Sequence, residues 1–376
     1  MSSKLVSTGV EFPDATTQTT AATAGAATFG ALTGTTVSAS DPAIDSNPSA
    51  TGHLWVNSTS GETYICTDST TGENTWVNIG EGAGGVAPIP PWYGDRGVFA
   101  GGTTGAFENT IDYITITTTG NAADFGDLTV SRQQLAACSS GTRGVVGGGW
   151  SAANAENTLD YITIATTGNA TDFGDLTVSR NTLSACSSSV RGIFAGGYPI
   201  TDTIDYITIA TTGDATDFGN LLAASKSNGG CSNGTRGVFA GGRLSDNTIL
   251  NTIQYITIIT TGDATDFGDL TSTRYGVAAC SSIVRGVFAG GDDSVANTTT
   301  IDYITIATTG NAIDFGDLTL GRRDLSACSN GSIGVFAGGT DNVTTIDYIT
   351  IATTGNATDF GDLTVGRKDL AACSGG

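Results

Sequence analysis

The hexapeptide Gly-Val-Phe-Ala-Gly-Gly returns six times with small variations. It places double glycines at Gly101-Gly102, Gly148-Gly149, Gly196-Gly197, Gly241-Gly242, Gly290-Gly291 and Gly338-Gly339. The intervals are 47, 48, 45, 49 and 48 residues. A fixed period of that size marks a repeat architecture, in which each unit completes its core against its neighbours. One segment of the unit varies while the rest is nearly copied, so the repeats also indicate where recognition can reside.

Glycine supplies 54 of the 376 residues, Met occurs once, and Lys plus Arg total 15. With β-branched residues and glycine turns dominant, the chain reads as all-β. One unit reads as four strands, over 133–139, 143–148 (equivalent to 96–101), 110–117 and 125–130. In the third, Ile111, Tyr113 and Thr115 face one way, and Ile114 and Ile116 the other. Apolar residues on both faces predict a sheet covered on both sides, a property of radially packed four-stranded blades.

The first copy of the opening strand follows the first copies of the other three, and its last copy, 369–374, stands alone at the C-terminus. Pairing 369–374 with the strand at 97–101 would complete the broken unit. The expected result is a six-bladed β-propeller over 94–376; an open solenoid is the alternative, with unpaired edges at both ends. The unit resembles a kelch repeat: an apolar strand ending in Gly101-Gly102, then Tyr113, then the aromatic Phe125, then Arg132. Phe125 stands where that family has Trp, and 12 residues separate it from Tyr113. The resemblance implies a propeller and no particular function.

The formal charge is -21, which argues against nucleic acid as a partner and is consistent with solubility. Five repeats carry Asp five residues before Arg: Asp127 and Arg132, Asp175 and Arg180, Asp269 and Arg274, Asp317 and Arg322, Asp362 and Arg367. In the third repeat both become neutral, as Asn220 and Ser225. Their joint loss predicts that they pair with each other, since a partly buried charge left alone is unfavourable. A ring of anion-binding arginines is the functional alternative.

Six of the seven cysteines, Cys138, Cys186, Cys231, Cys280, Cys328 and Cys373, recur once per repeat among small apolar residues; Cys66 lies outside the repeats. They read as buried core residues, not as disulfide or metal ligands. The one histidine, His53, also precedes the repeats. Imidazole-dependent copper chemistry and Ser-His-Asp or Cys-His catalysis therefore lack their base within the ring. The oxygen-rich segment 167–175 admits calcium in principle, but Asx-type turn contacts explain it more simply. No enzymatic activity, cofactor or metal is expected.

Residues 1–50 are rich in Thr, Ala, Ser and Gly and read as an extended anchor or oligomerisation segment. Residues 51–87 read as a small β-module of three strands, and Pro88-Ile89-Pro90-Pro91 opens a stiff linker over 88–93. The stretch from Gly9-Val10-Glu11-Phe12-Pro13-Asp14 through Ala22 is similar to segments near the start of tail-fibre and other structural proteins of tailed bacteriophages, notably cyanophages. The module from His53 to Asn78 and the repeat wording Trp92-Tyr93-Gly94-Asp95-Arg96 and Asp124-Phe125-Gly126-Asp127-Leu128 resemble parts of such proteins as well. The resemblance implies a virion location, a trimeric or other homo-oligomeric state, and virion partners held through residues 1–93. No secretory pattern or apolar run of membrane-spanning length is present, so synthesis in the host cytoplasm is expected.

Turns between the first and second strands, and between the third and fourth, are alike from repeat to repeat. The loops after the double glycines differ: 103–109, 150–157, 198–202, 243–251, 292–299 and 340–345. In an up-and-down blade these loops share one face with the connections between blades, opposite the point where the chain enters the ring. Candidate ligand-binding residues are Phe107, Trp150, Tyr198, Arg243, Asp292 and Asp341. Their aromatic, planar cationic and carboxylate groups suit a host-surface glycan or protein. A purely structural virion component without a ligand is the alternative.

Overall fold

The structure, a computed structural model, describes residues 34–79 and 93–376, together with the backbone of three short strands nearer the N-terminus. The expected anchor, 1–50, falls largely outside the described residues, as does the linker 88–93 except for Tyr93. The chain divides into two compact units, Met1–Ile89 and Pro90–Gly376. The fold is all-β, and no α-helix occurs among the described residues.

In the first unit, Lys4–Val6, Gly9–Glu11 and Thr17–Gln18 pair as an antiparallel sheet. A second sheet has the order Thr35–Ser38, Leu54–Asn57, Thr63–Asp68, Thr75–Asn78. The three strands expected within 51–87 are present. The fourth, Thr35–Ser38, comes from the segment assigned to the anchor and runs parallel to Leu54–Asn57, so the module begins before residue 51. Side chains fix the intervening segment: Asn74 Nδ2 donates to Ile44 O at 2.6 Å, and Asn57 Nδ2 to Asp41 Oδ1 at 2.7 Å. Tyr64, Cys66 and Trp76 form the core, with Trp55 edge-on to Trp76 at 5.7 Å. His53 also meets Trp76 edge-on and hydrogen-bonds Thr36 Oγ1 at 2.8 Å, which gives it a structural role.

The second unit contains six four-stranded antiparallel sheets. Five take their strands in chain order, as in Ala136–Ser139, Arg143–Gly147, Thr158–Thr163 and Thr171–Asp175. The sixth joins the two ends of the region: Ala371–Gly375 pairs with Arg96–Ala100, followed by Thr110–Thr115 and Ala123–Asp127. Cys373 lies opposite Val98 and Ala371 opposite Ala100, so the expected partner of the C-terminal strand is the observed one.

Neighbouring sheets share their cores. Val98, Ile111 and Phe125 of one pack with Val146, Ile162 and Ile164 of the next. Each repeated cysteine is buried and free, and sits over the second-strand glycine of the following sheet. A Cβ on Gly192 would lie 2.4 Å from Cys138 Sγ, which is why glycine is the second residue of this strand in every repeat. Burial pushes the thiols up, that of Cys373 to about 12.

Serine hydroxyls link the first strands. Ser139 Oγ donates to Ser374 O at 2.7 Å, Ser374 Oγ to Ser329 O at 2.6 Å, Ser329 Oγ to Ser281 O at 2.6 Å, and Ser281 Oγ to Ser232 O at 2.7 Å. Ser232 Oγ donates to Ser187 O, and Ser187 Oγ accepts from Ser139 N at 3.3 Å, so the series returns to its start. The outer edge of each sheet is covered as well. Gly168 N and Ala170 N donate to Phe125 O and Asp127 O, both at 2.8 Å, and Asn169 Oδ1 accepts from Asp127 N. These contacts occupy backbone groups that an open edge would expose. The same carbonyl-type oxygen comes from Asp214 in the next repeat, which explains why Asn and Asp interchange there. Within 167–175 the Asn169 side-chain oxygen is thus spent on a neighbouring sheet.

The repeated ion pair has a different partner from the expected one. Arg132 pairs with Asp160, Arg180 with Asp205, Arg274 with Asp302, Arg322 with Asp347 and Arg367 with Asp112, at 2.6–3.1 Å and with both side chains fully buried. The acid is the third-strand Asp of the following sheet. Asp127, Asp175, Asp269, Asp317 and Asp362 do not pair with these arginines. They lie at the end of the fourth strand, where Asp317 and Asp362 accept from Thr299 and Thr344 hydroxyls. The physical reason is that the arginine stands on the connection between two sheets and points into the second. There Arg180 Nη1 and Nη2 also donate to Thr203 O and Phe194 O. Burial pulls the Arg180 guanidinium below its usual pKa, and Asp205 opposes that shift. At the exceptional seam, Ser225 replaces the arginine and Gln254 the aspartate; Leu222 N donates to Gln254 Oε1 at 2.7 Å. Asn228, standing where other repeats have Leu or Val, fills the remaining polar role by bonding Ser225 Oγ and Gly241 O.

Candidate ligand-binding face

The double glycine determines how the variable loops sit. Gly101 and Gly102 have φ of 62° and 107°, the left-handed region that disfavours side chains. A Cβ on either would come within 2.7 Å of Arg132 O or Lys368 O. Gly102 N donates to Arg132 O, and Thr103 exchanges backbone hydrogen bonds with Lys368. The loop after each double glycine therefore lies against a connection between sheets. The same bridge joins Trp150 to Gln133, Tyr198 to Asn181, Arg243 to Lys226 and Asp292 to Tyr275.

One residue further along each connection, Gln134, Thr182, Ser227, Asp324 and Asp369 have φ of 50–59°, and Gly276 has 66°. Their backbones bond in series. Gln134 N donates to Asp369 O, Thr182 N to Gln134 O, Ser227 N to Thr182 O, Gly276 N to Ser227 O, Asp324 N to Gly276 O, and Asp369 N to Asp324 O. The cavity inside this series is about 80 Å³, and those behind it are about 110 and 80 Å³. Tyr93 lines the last of them and contacts Ser232 O and Ser281 Oγ at 3.4 Å. Ligand pockets for small molecules run to roughly 300–1,000 Å³, so these cavities are too small for a drug-sized ligand. A larger hollow of about 400 Å³, beside Arg285, Tyr303 and Asn311, is lined largely by scaffold residues repeated in other sheets. At the face, Asp324 and Asp369 are neighbours; burial first, then Asp324, raise the Asp369 carboxyl to about 7.

A census of the cations separates scaffold from surface. Five arginines occupy the buried pairs. Five more, Arg96, Arg143, Arg191, Arg236 and Arg285, stack on third-strand tyrosines at 4.2–4.7 Å and donate to carbonyls of the next sheet. Lys4 lies outside the described side chains. The remaining four, Lys226, Arg243, Arg323 and Lys368, all stand at the junctions between variable loops and connections.

The predicted residues divide by environment. Trp150 is 37 % and Tyr198 47 % exposed. Lys226 Nζ lies 4.9 Å from the Tyr198 ring, and Arg243 is 5.1 Å from Tyr275. Phe107 is half-buried and its backbone bridges Thr103. Asp292 is buried; it pairs with Arg323 and accepts from Ser294 N, which makes it a support rather than a contact. Asp341 is exposed, in the turn Thr340–Asn342, with φ of 66°. Sequence reasoning missed Lys226, Tyr275, Arg323 and Lys368. Their signal was available: the residue after the repeated Arg or Ser runs Gln133, Asn181, Lys226, Tyr275, Arg323, Lys368, as varied as the loops themselves.

Among the described residues, no group of three or more His, Cys, Asp or Glu is arranged to hold a metal ion, and no helix is long and apolar enough to cross a membrane. No protein-family model matches the chain, and no curated protein matches it.

Proposed function

We propose that the chain is a virion fibre or spike protein of a tailed bacteriophage. On this reading residues 94–376 form a closed six-bladed β-propeller that adheres to the host surface, and residues 1–93 attach it to other virion proteins, as a homo-oligomer. The function is adhesion, without catalysis. Closure is supported by the pairing of Ala371–Gly375 with Arg96–Ala100 and by the two six-membered series of hydrogen bonds. The phage assignment rests on the resemblances of residues 9–22, 53–78 and the repeats. The observation that carries adhesion is the cation census: the four described cations outside the buried pairs and the tyrosine stacks, Lys226, Arg243, Arg323 and Lys368, all stand beside the variable loops, and Lys226 adjoins the exposed Tyr198.

Immunogold labelling with antibody against residues 94–376 tests the location on purified virions of the phage carrying this gene. Label at the tail or a spike, together with adsorption of the full-length protein to that phage's host cells, is the expected result. Capsid label without adsorption would favour a decoration component, and absence from virions would overturn the reading.

A further inference from the structure

We propose that the arc carrying Tyr198, Lys226 and Arg243 is a subsite for an acidic saccharide, a pyranose bearing a carboxylate or a sulfate ester. The inference rests on the adhesion reading and names its ligand class. Lys226 and Arg243 are held side by side by reciprocal backbone hydrogen bonds of 3.1 and 2.9 Å. Neither has a carboxylate within ion-pair distance among the described residues, although the chain carries 36 acids against 15 Lys and Arg. Arg323, on the same face, shows the contrast: it pairs with both Asp292 and Asp324. Two adjacent cations without a counter-ion repel each other; a bound oxyanion relieves that repulsion. Burial and the nearby Arg243 hold the Lys226 ammonium below its usual pKa, in keeping with that arrangement.

The rest of the chemistry fits a sugar. The exposed Tyr198 ring adjoins Lys226 and offers a flat apolar surface to a pyranose. Tyr275 holds the Arg243 guanidinium at 5.1 Å, and that planar fork matches a carboxylate or sulfate. An acidic chain repels polyanions in general, so binding of one would report this local site.

The test measures binding of the full chain to polygalacturonate, dextran sulfate and neutral dextran, and adsorption to host cells. One charged polymer should bind, the neutral one should not, and about 1 M salt should abolish binding by screening. Polygalacturonate binding would identify a carboxylate and dextran sulfate binding a sulfate ester. Lys226→Gln with Arg243→Gln should weaken binding about tenfold or more, the loss expected when a charge-assisted hydrogen bond disappears. Lys4→Gln, a charge loss outside the repeats, should change it less than about twofold. Arg243→Lys, which keeps the charge, should give an intermediate loss and guards against misfolding of the double variant. Undiminished binding in the double variant, or an equal effect of Lys4→Gln, overturns the subsite. If host cells still adsorb the double variant fully, adhesion stands and the subsite falls. If neither cells nor polymers bind the wild type, both fall.

Discussion

Arginine does opposite work at the seams between sheets and on the loop face. At a seam, Arg180 and Asp205 are both fully buried, and the guanidinium also satisfies two backbone carbonyls. On the face, Arg243 leans on Tyr275 and meets Lys226 with no carboxylate beside it. The buried pair stabilises the fold only while complete, since removing one partner strands a charge in a dry place. The surface pair of like charges contributes nothing comparable to the fold. Residue type alone therefore does not mark a binding site; what decides is whether the scaffold supplies a partner.

The largest effect should come from the strand that joins the two ends of the repeat region. Deleting residues 369–376 removes the partner of Arg96–Ala100 and the last serine of the hydrogen-bonded series. Calorimetry should show loss of the cooperative transition of the repeats; a transition like that of the full chain would refute closure.

Next come the seams. Arg180→Ala should destabilise by about 3–5 kcal/mol in denaturant titrations. Copying the exceptional seam, with Thr177→Leu, Arg180→Ser, Leu183→Asn and Asp205→Gln together, should lose clearly less than the single change. Arg243→Ala should stay within about 0.5 kcal/mol. Equal losses for Arg180→Ala and Arg243→Ala would erase the contrast.

A pH dependence should also arise at the face. The Asp369 carboxyl is raised to about 7 in the fold, against about 3.9 in an unfolded chain. Between those values the folded state holds more protons, so stability should fall as pH rises from about 4 to about 7 and level off above. Asp369→Asn should flatten that slope; an unchanged profile would assign the dependence to other groups.

Much of this fold is legible in the sequence because it repeats. The glycine period marks the six units, and the lone strand at 369–374 identifies its own partner. The ion pair was misread because Asp127-type and Arg132-type residues lie five apart and change together in the third repeat. The informative change lay 29 residues beyond Ser225, at Gln254, in the following unit. A partner across a seam is adjacent in space and distant in sequence, so local covariation points to the wrong acid. Strand Thr35–Ser38 escaped notice for a related reason: it pairs in parallel across a long connection, so no hairpin turn joins it to its partner. On the face, Trp150 and Tyr198 were found from the loops, whereas Lys226 and Tyr275 lie in connections that keep one length.

Recognition on the loop face is tested most directly by measuring host-cell adsorption and melting temperature together for two variants. Trp150→Ala with Tyr198→Ala alters only exposed loop residues, and Thr167→Ala with Thr212→Ala alters exposed residues of the uniform turns. Both should melt close to wild type, and only the first should lose adsorption. Adsorption that survives the loop changes and disappears with the turn changes would contradict recognition on this face.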